Sequence, residues 1–151
     1  MRTVSFLALA CLLFASAIGC GPNEVSHNPG IDVCPATAKV TQDGQPVEGA
    51  RVSFSSVDQQ RSASGTTNAE GVAVLTTFDR GDGAVLGEHR VKISKDEIEV
   101  IKEADLNDPM SQAEIKTIHH LPQKYGNYKS SGLSASVTAT DKGNAFEFEL
   151  N

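Results

Sequence analysis

The chain has no tryptophan and only two tyrosines, and aromatic residues make up 5% of it. Stacking platforms for bases or sugars are built from such rings, so that kind of site has little material here. Positive charge is also short: 13 Lys and Arg stand against 19 Asp and Glu, giving a formal net charge of −6 and a pI near 5.1. A chain of that sign does not gather phosphate backbones, and nucleic acid is not an expected partner. Several catalytic signatures are missing too. The sequence contains no CxxC pair, no HExxH, no G-x-S-x-G and no glycine-rich phosphate loop ahead of a helix. At 151 residues it falls well below the ~250 of an (α/β)₈ barrel. What is present is ordinary for one folded domain: 39% hydrophobic and 21% charged residues.

The first nineteen residues read as an address. Arg2 precedes an uncharged, nearly all-apolar run from Val4 to Ile18. At ~1.5 Å per residue this run is too short to cross a ~30 Å hydrocarbon core comfortably, and it fits a secretory signal peptide. Two cleavage sites follow. Ala17-Ile18-Gly19-Cys20 resembles the bacterial lipoprotein box, in which Gly19 precedes the cut and Cys20 becomes the acylated N-terminus. Ala17 stands where that family most often has Leu. The chemistry requires cysteine there because a thiol accepts the diacylglycerol. Ala15-Ser16-Ala17 is instead an A-x-A site for ordinary signal peptidase.

Of the three cysteines, Cys11 lies inside the apolar run. Acylation of Cys20 leaves Cys34 as a free thiol or small hydrophobe. The A-x-A cut instead allows a Cys20–Cys34 bridge, worth about 3 kcal/mol in the chain-entropy model. Residues 20–35, polar and broken by Pro and Gly, read as a flexible tether.

From 36 to 151 the pattern changes to period two. Ala50, Val52 and Phe54 alternate with Arg51, Ser53 and Ser55. His89, Val91 and Ile93 alternate with Arg90, Lys92 and Ser94, and Leu133, Ala135 and Val137 with Ser134, Ser136 and Thr138. Phe146, Phe148 and Leu150 alternate with Glu147 and Glu149. Asp43-Gly44, Asn68-Ala69-Glu70-Gly71 and Asp141-Lys142-Gly143-Asn144 carry turn chemistry. The pattern predicts an all-β fold, a seven-stranded antiparallel β-sandwich with strands at about 36–42, 50–56, 62–67, 72–78, 87–94, 132–139 and 145–150. Phe54, Phe146 and Phe148 are its expected core anchors.

The stretch from Lys39 to Phe54 (KVTQDGQPVEGARVSF) resembles the opening of the carboxypeptidase regulatory-like, or transthyretin-like, domain. Thr66-Thr67-Asn68-Ala69-Glu70-Gly71 is similar to its T-D-x-x-G turn, with Asn68 for Asp. The stretch from Gly81 to Val91 (GDGAVLGEHRV) is similar to its G-x-Y-x-V strand entry, with His89 for Tyr. Together with Leu121-Pro122-Gln123-Lys124-Tyr125 and the closing Phe146–Leu150, the chain resembles small bacterial surface lipoproteins built on that one domain. The resemblance implies an Ig-like sandwich without peptidase residues. Hydroxyisourate hydrolase shares this class of fold but closes on Tyr-Arg-Gly-Ser, whereas this chain closes on Phe-Glu-Leu-Asn.

Residues 95–120 interrupt the alternation with a charged insertion. Ile98, Ile101 and Ala104 are spaced for a short helix, Val100 leaves a strand extension open, and Asp108-Pro109 ends whatever forms. Long connections are where binding surfaces concentrate, so His119, His120, Lys124 and Tyr125 form the candidate binding loop. Adjacent histidines on one strand point apart and no further ligand pattern completes a zinc set, so no metal is assigned. Asp79-x-Gly81-Asp82-Gly83 lacks the spacing and distal Glu of a calcium loop and reads as a turn. Asp105 and Asp108 read as surface charges.

No catalytic residue and no cofactor is expected. The sequence points to a non-catalytic envelope lipoprotein with Cys20 in a bilayer. Other envelope proteins or surface polymers are its expected partners, with outer-membrane placement if the host has two membranes, because Gly21 is not the retaining Asp. The alternative is a soluble secreted or periplasmic small-molecule binder or hydrolase on the same sandwich.

Overall fold

A strand that is apolar on one face is stable only when that face meets another apolar surface. In a computed structural model, which describes residues 26–103, 107 and 110–151, a second sheet supplies that surface. In chain order the strands are β1 (Val33–Cys34), β2 (Ala36–Gln42), β3 (Gln45–Pro46), β4 (Arg51–Ser56), β5 (Ser62–Thr66) and β6 (Val72–Val74). They continue as β7 (Ala84–Val85), β8 (Gly87–Ser94), β9 (Asp96–Lys102), β10 (Glu114–His119), β11 (Leu133–Val137) and β12 (Asn144–Leu150). The helical element among the described residues is one 3₁₀ turn, Gln123–Gly126. One sheet runs β11-β8-β4-β5, antiparallel throughout. The other runs β12-β2-β3, with β6 also paired to β2. Two short ribbons, β1–β7 and β9–β10, complete an all-β architecture.

The strands expected from alternation are present as β2, β4, β5, β6, β8, β11 and β12, with β6 ending at Val74 rather than 78. One pairing differs from the antiparallel expectation. β12 runs parallel to β2, from Asn144 opposite Ala36 to Leu150 opposite Gln42. Side chains alternate with period two in both kinds of pairing, so the pattern carries no sign of direction. A second difference is Ser53, expected on the wet face but 6% exposed. It lies mid-strand between β5 and β8, directly opposite Ser64 and the longer Lys92.

Phe54 on β4 is fully buried and meets two rings from the other sheet, Phe146 at 5.4 Å and Phe148 at 6.0 Å between centroids. Around this contact pack Ala38 and Val40 of β2, Val52 of β4, Val91 and Ile93 of β8, and Leu150 of β12. The turns follow their residue chemistry. Asp43 and Gly44 both have positive φ (50° and 75°), which turns β2 back into β3. The buried Thr67 hydroxyl accepts from the Ala50 amide (2.8 Å) and donates to the Val47 carbonyl (2.6 Å), bracing the approach to β4.

The fastened part of the chain begins earlier than 36. Ser26 Oγ donates to Asp79 (2.7 Å), and the His27 amide donates to the same carboxylate (2.9 Å). His27 Nδ1 lies 2.9 Å from it. Asn28 Oδ1 then accepts from the amides of Gly30 and Ile31. β1 pairs with β7, and Cys34 is a buried free thiol in the core, its Sγ 3.4 Å from the Thr140 carbonyl. The fit is tight: a Cβ on Gly83 (φ 95°) would collide with the Cys34 carbonyl. Of the span read as tether, 26–35 is therefore laid against the domain. Composition marks a polar, Pro/Gly-broken stretch but does not reveal that Asp79 lies within reach. The apolar run, Gly19 and Cys20 lie outside the described residues.

His89 sits in the core at 1% exposure, tilted against Phe54 at 5.8 Å. Its Nδ1 is 3.0 Å from the Gly87 carbonyl, and its Nε2 has no partner among the described residues. Burial pushes its pKa below the ordinary value of 6.5. The unfolded chain therefore takes up a proton that the folded chain refuses. Stability is fully present above about pH 6.5 and falls below it, by up to about 1.4 kcal/mol per pH unit. His89→Leu is expected to flatten urea-denaturation midpoints measured between pH 7 and 5; an unchanged slope would refute this. Phe54→Ala is expected to lower stability by about 3–5 kcal/mol, read from the same urea curves. A loss under 1 kcal/mol would show that the inter-sheet rings are not the anchor.

Candidate functional site

The insertion at 95–120 is a two-stranded ribbon. β9 and β10 pair antiparallel, with Asp96 opposite His119, Ile98 opposite Thr117, and Val100 opposite Ile115. Of the two outcomes left open for Ile98–Ile101, the strand forms and the helix does not, and Ala104 lies outside the described residues. The reason is local: Ile98, Val100, Ile101, Ile115, Thr117 and Ile118 are β-branched, and Glu99 falls opposite Lys116. A bulge at Glu114–Ile115 shifts the register and accommodates Ile101 as the extra residue.

Every residue of β9 is exposed, and β10 is exposed except for the half-buried Ile118. Ile98, Val100 and Ile115 share one face at 65%, 55% and 57% exposure, so an apolar face points to solvent. Met110, at 85%, is also exposed. The opposite face carries Glu97, Glu99 and Lys116. Asp105 and Asp108 lie outside the described residues.

Two histidine–carboxylate pairs close the base of the ribbon. His119 Nδ1 lies 2.7 Å from Asp96 Oδ1, and His120 Nε2 lies 3.0 Å from Glu97 Oε2. The His119 hydrogen bond, with a smaller contribution from Ser94, holds the Asp96 carboxyl below its usual range. Beneath the first pair lies a cleft of about 290 Å³, walled by Ile93, Ser94, Asp96, His119, Leu121 and Pro122. Ser94 and His119 both bear on the one Asp96 carboxylate at this wall of the cleft.

The four candidate residues separate. His119 lines the cleft, while His120 pairs with Glu97 beside it. Tyr125 is buried, and its hydroxyl accepts from the Asn151 amide (3.0 Å), pinning the chain's last residue to the 3₁₀ turn. Lys124 Nζ stands 4.7 Å over the Tyr125 ring. Neither lines the cleft. Sequence reading missed the partners Asp96 and Glu97, although the alternation Asp96-Glu97-Ile98-Glu99-Val100 was the available signal.

The turn at 79–83 is built on its own carboxylates. Asp82 accepts from the amides of Thr77 (2.7 Å), Phe78 (2.9 Å) and Asp79 (3.0 Å). Asp79 holds Ser26 and His27, whose hydrogen bonds, that of Ser26 foremost, draw its pKa down to about 2. Among the described residues no three His, Cys, Asp or Glu side chains gather as a metal set.

Since Asp96 and His119 face each other across the ribbon base, a two-residue Asn-Gly turn can replace 97–118 without reaching the core. The shortened chain is expected to unfold at nearly the parent temperature in a thermal melt. A fall of more than ~5 °C, on the order of 1 kcal/mol for a domain this size, would show that the ribbon belongs to the core.

No family model, curated protein or solved structure matches this chain.

Proposed function

We propose that this chain is a non-catalytic lipoprotein of the bacterial envelope, held in a bilayer by acyl groups on Cys20. The reading is carried by one observation: Ala17-Ile18-Gly19-Cys20 closes an uncharged apolar run that follows a basic start. On this reading the two sheets are a transthyretin-like β-sandwich, as the resemblance of 39–54 and 66–71 implies. Two or three acyl chains hold a protein essentially permanently, whereas one holds it only marginally. In a host with two membranes, Gly21 favours the outer one.

The binding surface in this reading is the β9–β10 ribbon with the cleft at its base. An isolated two-stranded ribbon is marginal in water. An apolar face on such a ribbon fits a protein that docks on another envelope component, whether protein or surface polymer. The second reading, a diffusible small-molecule binder or hydrolase, is favoured by the His119–Asp96 pair in the cleft.

Intact mass spectrometry of the protein from its native membrane tests the first reading against Cys20→Ala. The expected mass starts at Cys20 and carries acyl chains, and the variant loses them. An unacylated start at Ile18, with two hydrogens missing for a Cys20–Cys34 bridge, would overturn it in favour of the second.

A further inference from the structure

The outer face of the β11-β8-β4-β5 sheet is made of hydroxyls and cations. In one row across the strands Arg90 stands between Ser134 and Ser55, and Ser55 faces Ser62. In the next, Ser53 stands between Lys92 and Ser64. In a third, Arg51 stands between Ser94 and Thr66. Glu88, opposite Ser136, is the one acid at an outward position of these four strands. None of those positions holds an aliphatic or aromatic residue, although strands favour both kinds.

The groups of this face are not used within the molecule. Ser53 is 6% exposed, yet its hydroxyl makes no hydrogen bond among the described residues. His89 Nε2 is the polar side-chain atom sealed in the core without a partner, whereas the Ser53 oxygen opens onto the face. Arg51 and Arg90 are exposed and form no ion pair among the described residues, and Lys92 Nζ lies 5.0 Å over the Tyr128 ring at the rim. The rim is mixed in sign: Asp58 and Arg61 share the β4–β5 turn, Glu48 lies beside Lys95, and Asp96 is held by His119. The positive excess therefore belongs to the face itself, in a chain whose formal charge is −6. The outer face of the other sheet has the opposite balance, Glu147 and Glu149 against Lys39.

We infer that this face binds an acidic polysaccharide, a polymer of carboxylate-bearing sugars laid across the strands. Each guanidinium is a planar fork that matches a carboxylate with two parallel hydrogen bonds. Arg51 lies four residues along β4 from Ser55, the partner of Arg90, so the two arginines are about 13 Å apart along the strands at ~3.3 Å per residue. A polymer that repeats its carboxylates spans that distance, and a single sugar ring does not. Between the arginines the hydroxyls of Ser53 and Ser55 both donate and accept, as sugar hydroxyls do. The lack of apolar side chains sets the face apart from the core of a protein–protein interface. The lack of aromatic rings on the strands sets it apart from a nucleic-acid platform. This surface is distinct from the ribbon, and the inference does not depend on acylation of Cys20.

The test measures equilibrium binding of the full chain, in non-ionic detergent at about 0.15 M salt, to alginate, a polyuronate. Neutral dextran and duplex DNA are the comparison polymers. The expected result is binding to alginate and none to dextran. Arg51→Gln with Arg90→Gln is expected to weaken alginate binding by ~10-fold or more, as loss of two charge-assisted contacts implies. Lys39→Gln with Lys142→Gln removes the same charge from exposed sites off this face and is expected to leave binding nearly unchanged. Ser53→Ala, which removes one oxygen, is expected to weaken binding several-fold. Thermal melts matching the parent separate loss of binding from loss of fold. A parent that does not bind alginate, or binds dextran as well, overturns the inference. So does an equal loss in the two double variants, which would mean that net charge and not this face is responsible. Tighter binding to DNA than to alginate overturns it in favour of a nucleic-acid surface, and an unchanged Ser53→Ala overturns the part assigned to the hydroxyls.

Discussion

The contact of Phe54 with Phe146 and Phe148 is the constraint on which the rest of this molecule depends. With aromatic residues at 5% of the chain, few large side chains are available to join two sheets. Three of the six phenylalanines are spent at this one place, where rings from β4 and β12 meet. Because β12 pairs in parallel with β2, the same contact draws strands from far apart in the chain into one sheet. The alanines and valines around it are small, so the core is thin and its larger members matter disproportionately.

A thin core leaves much of the organisation to small polar side chains acting on backbone. The Thr67 hydroxyl braces the entry to β4, Ser131 donates to the Val91 carbonyl at 2.6 Å beside β11, and Asp82 gathers three amides of its own turn. Tyr125 ties down Asn151. Each of these replaces hydration that the chain loses on folding, and unmet backbone groups are expensive when buried. His89 is the exception: a buried imidazole nitrogen without a partner among the described residues sits against the central ring. It makes the core itself sensitive to protons.

The polarity of the domain follows from this scaffold. β8 runs from the end that carries the clasp to the root of the ribbon. The scaffold between them contributes rigidity, whereas the ribbon contributes exposed apolar surface that its own fold does not bury. On the proposed reading, surface of that kind is where another envelope component docks. The histidine–carboxylate pairs tie the two strands together at the ribbon's root.

The all-β character, the turns at Asp43-Gly44 and Asn68–Gly71, and the buried Phe54 and Phe148 were legible in the chain, because burial on one face of a strand imposes a period of two on the residues themselves, whereas Phe146 is only half-buried. An address such as the one proposed at Cys20 is a different kind of signal, because a peptidase reads local sequence, not a fold. Three things belonged to tertiary structure alone. The direction of β12 leaves no trace in alternation. The clasp of Ser26 and His27 on Asp79 joins residues more than fifty positions apart, and no spacing announces it. Among the histidines, only the fold decides that His119 meets its register partner Asp96 and that His120, just past β10, reaches diagonally to Glu97, because strand pairing, not proximity in sequence, selects which side chains come together.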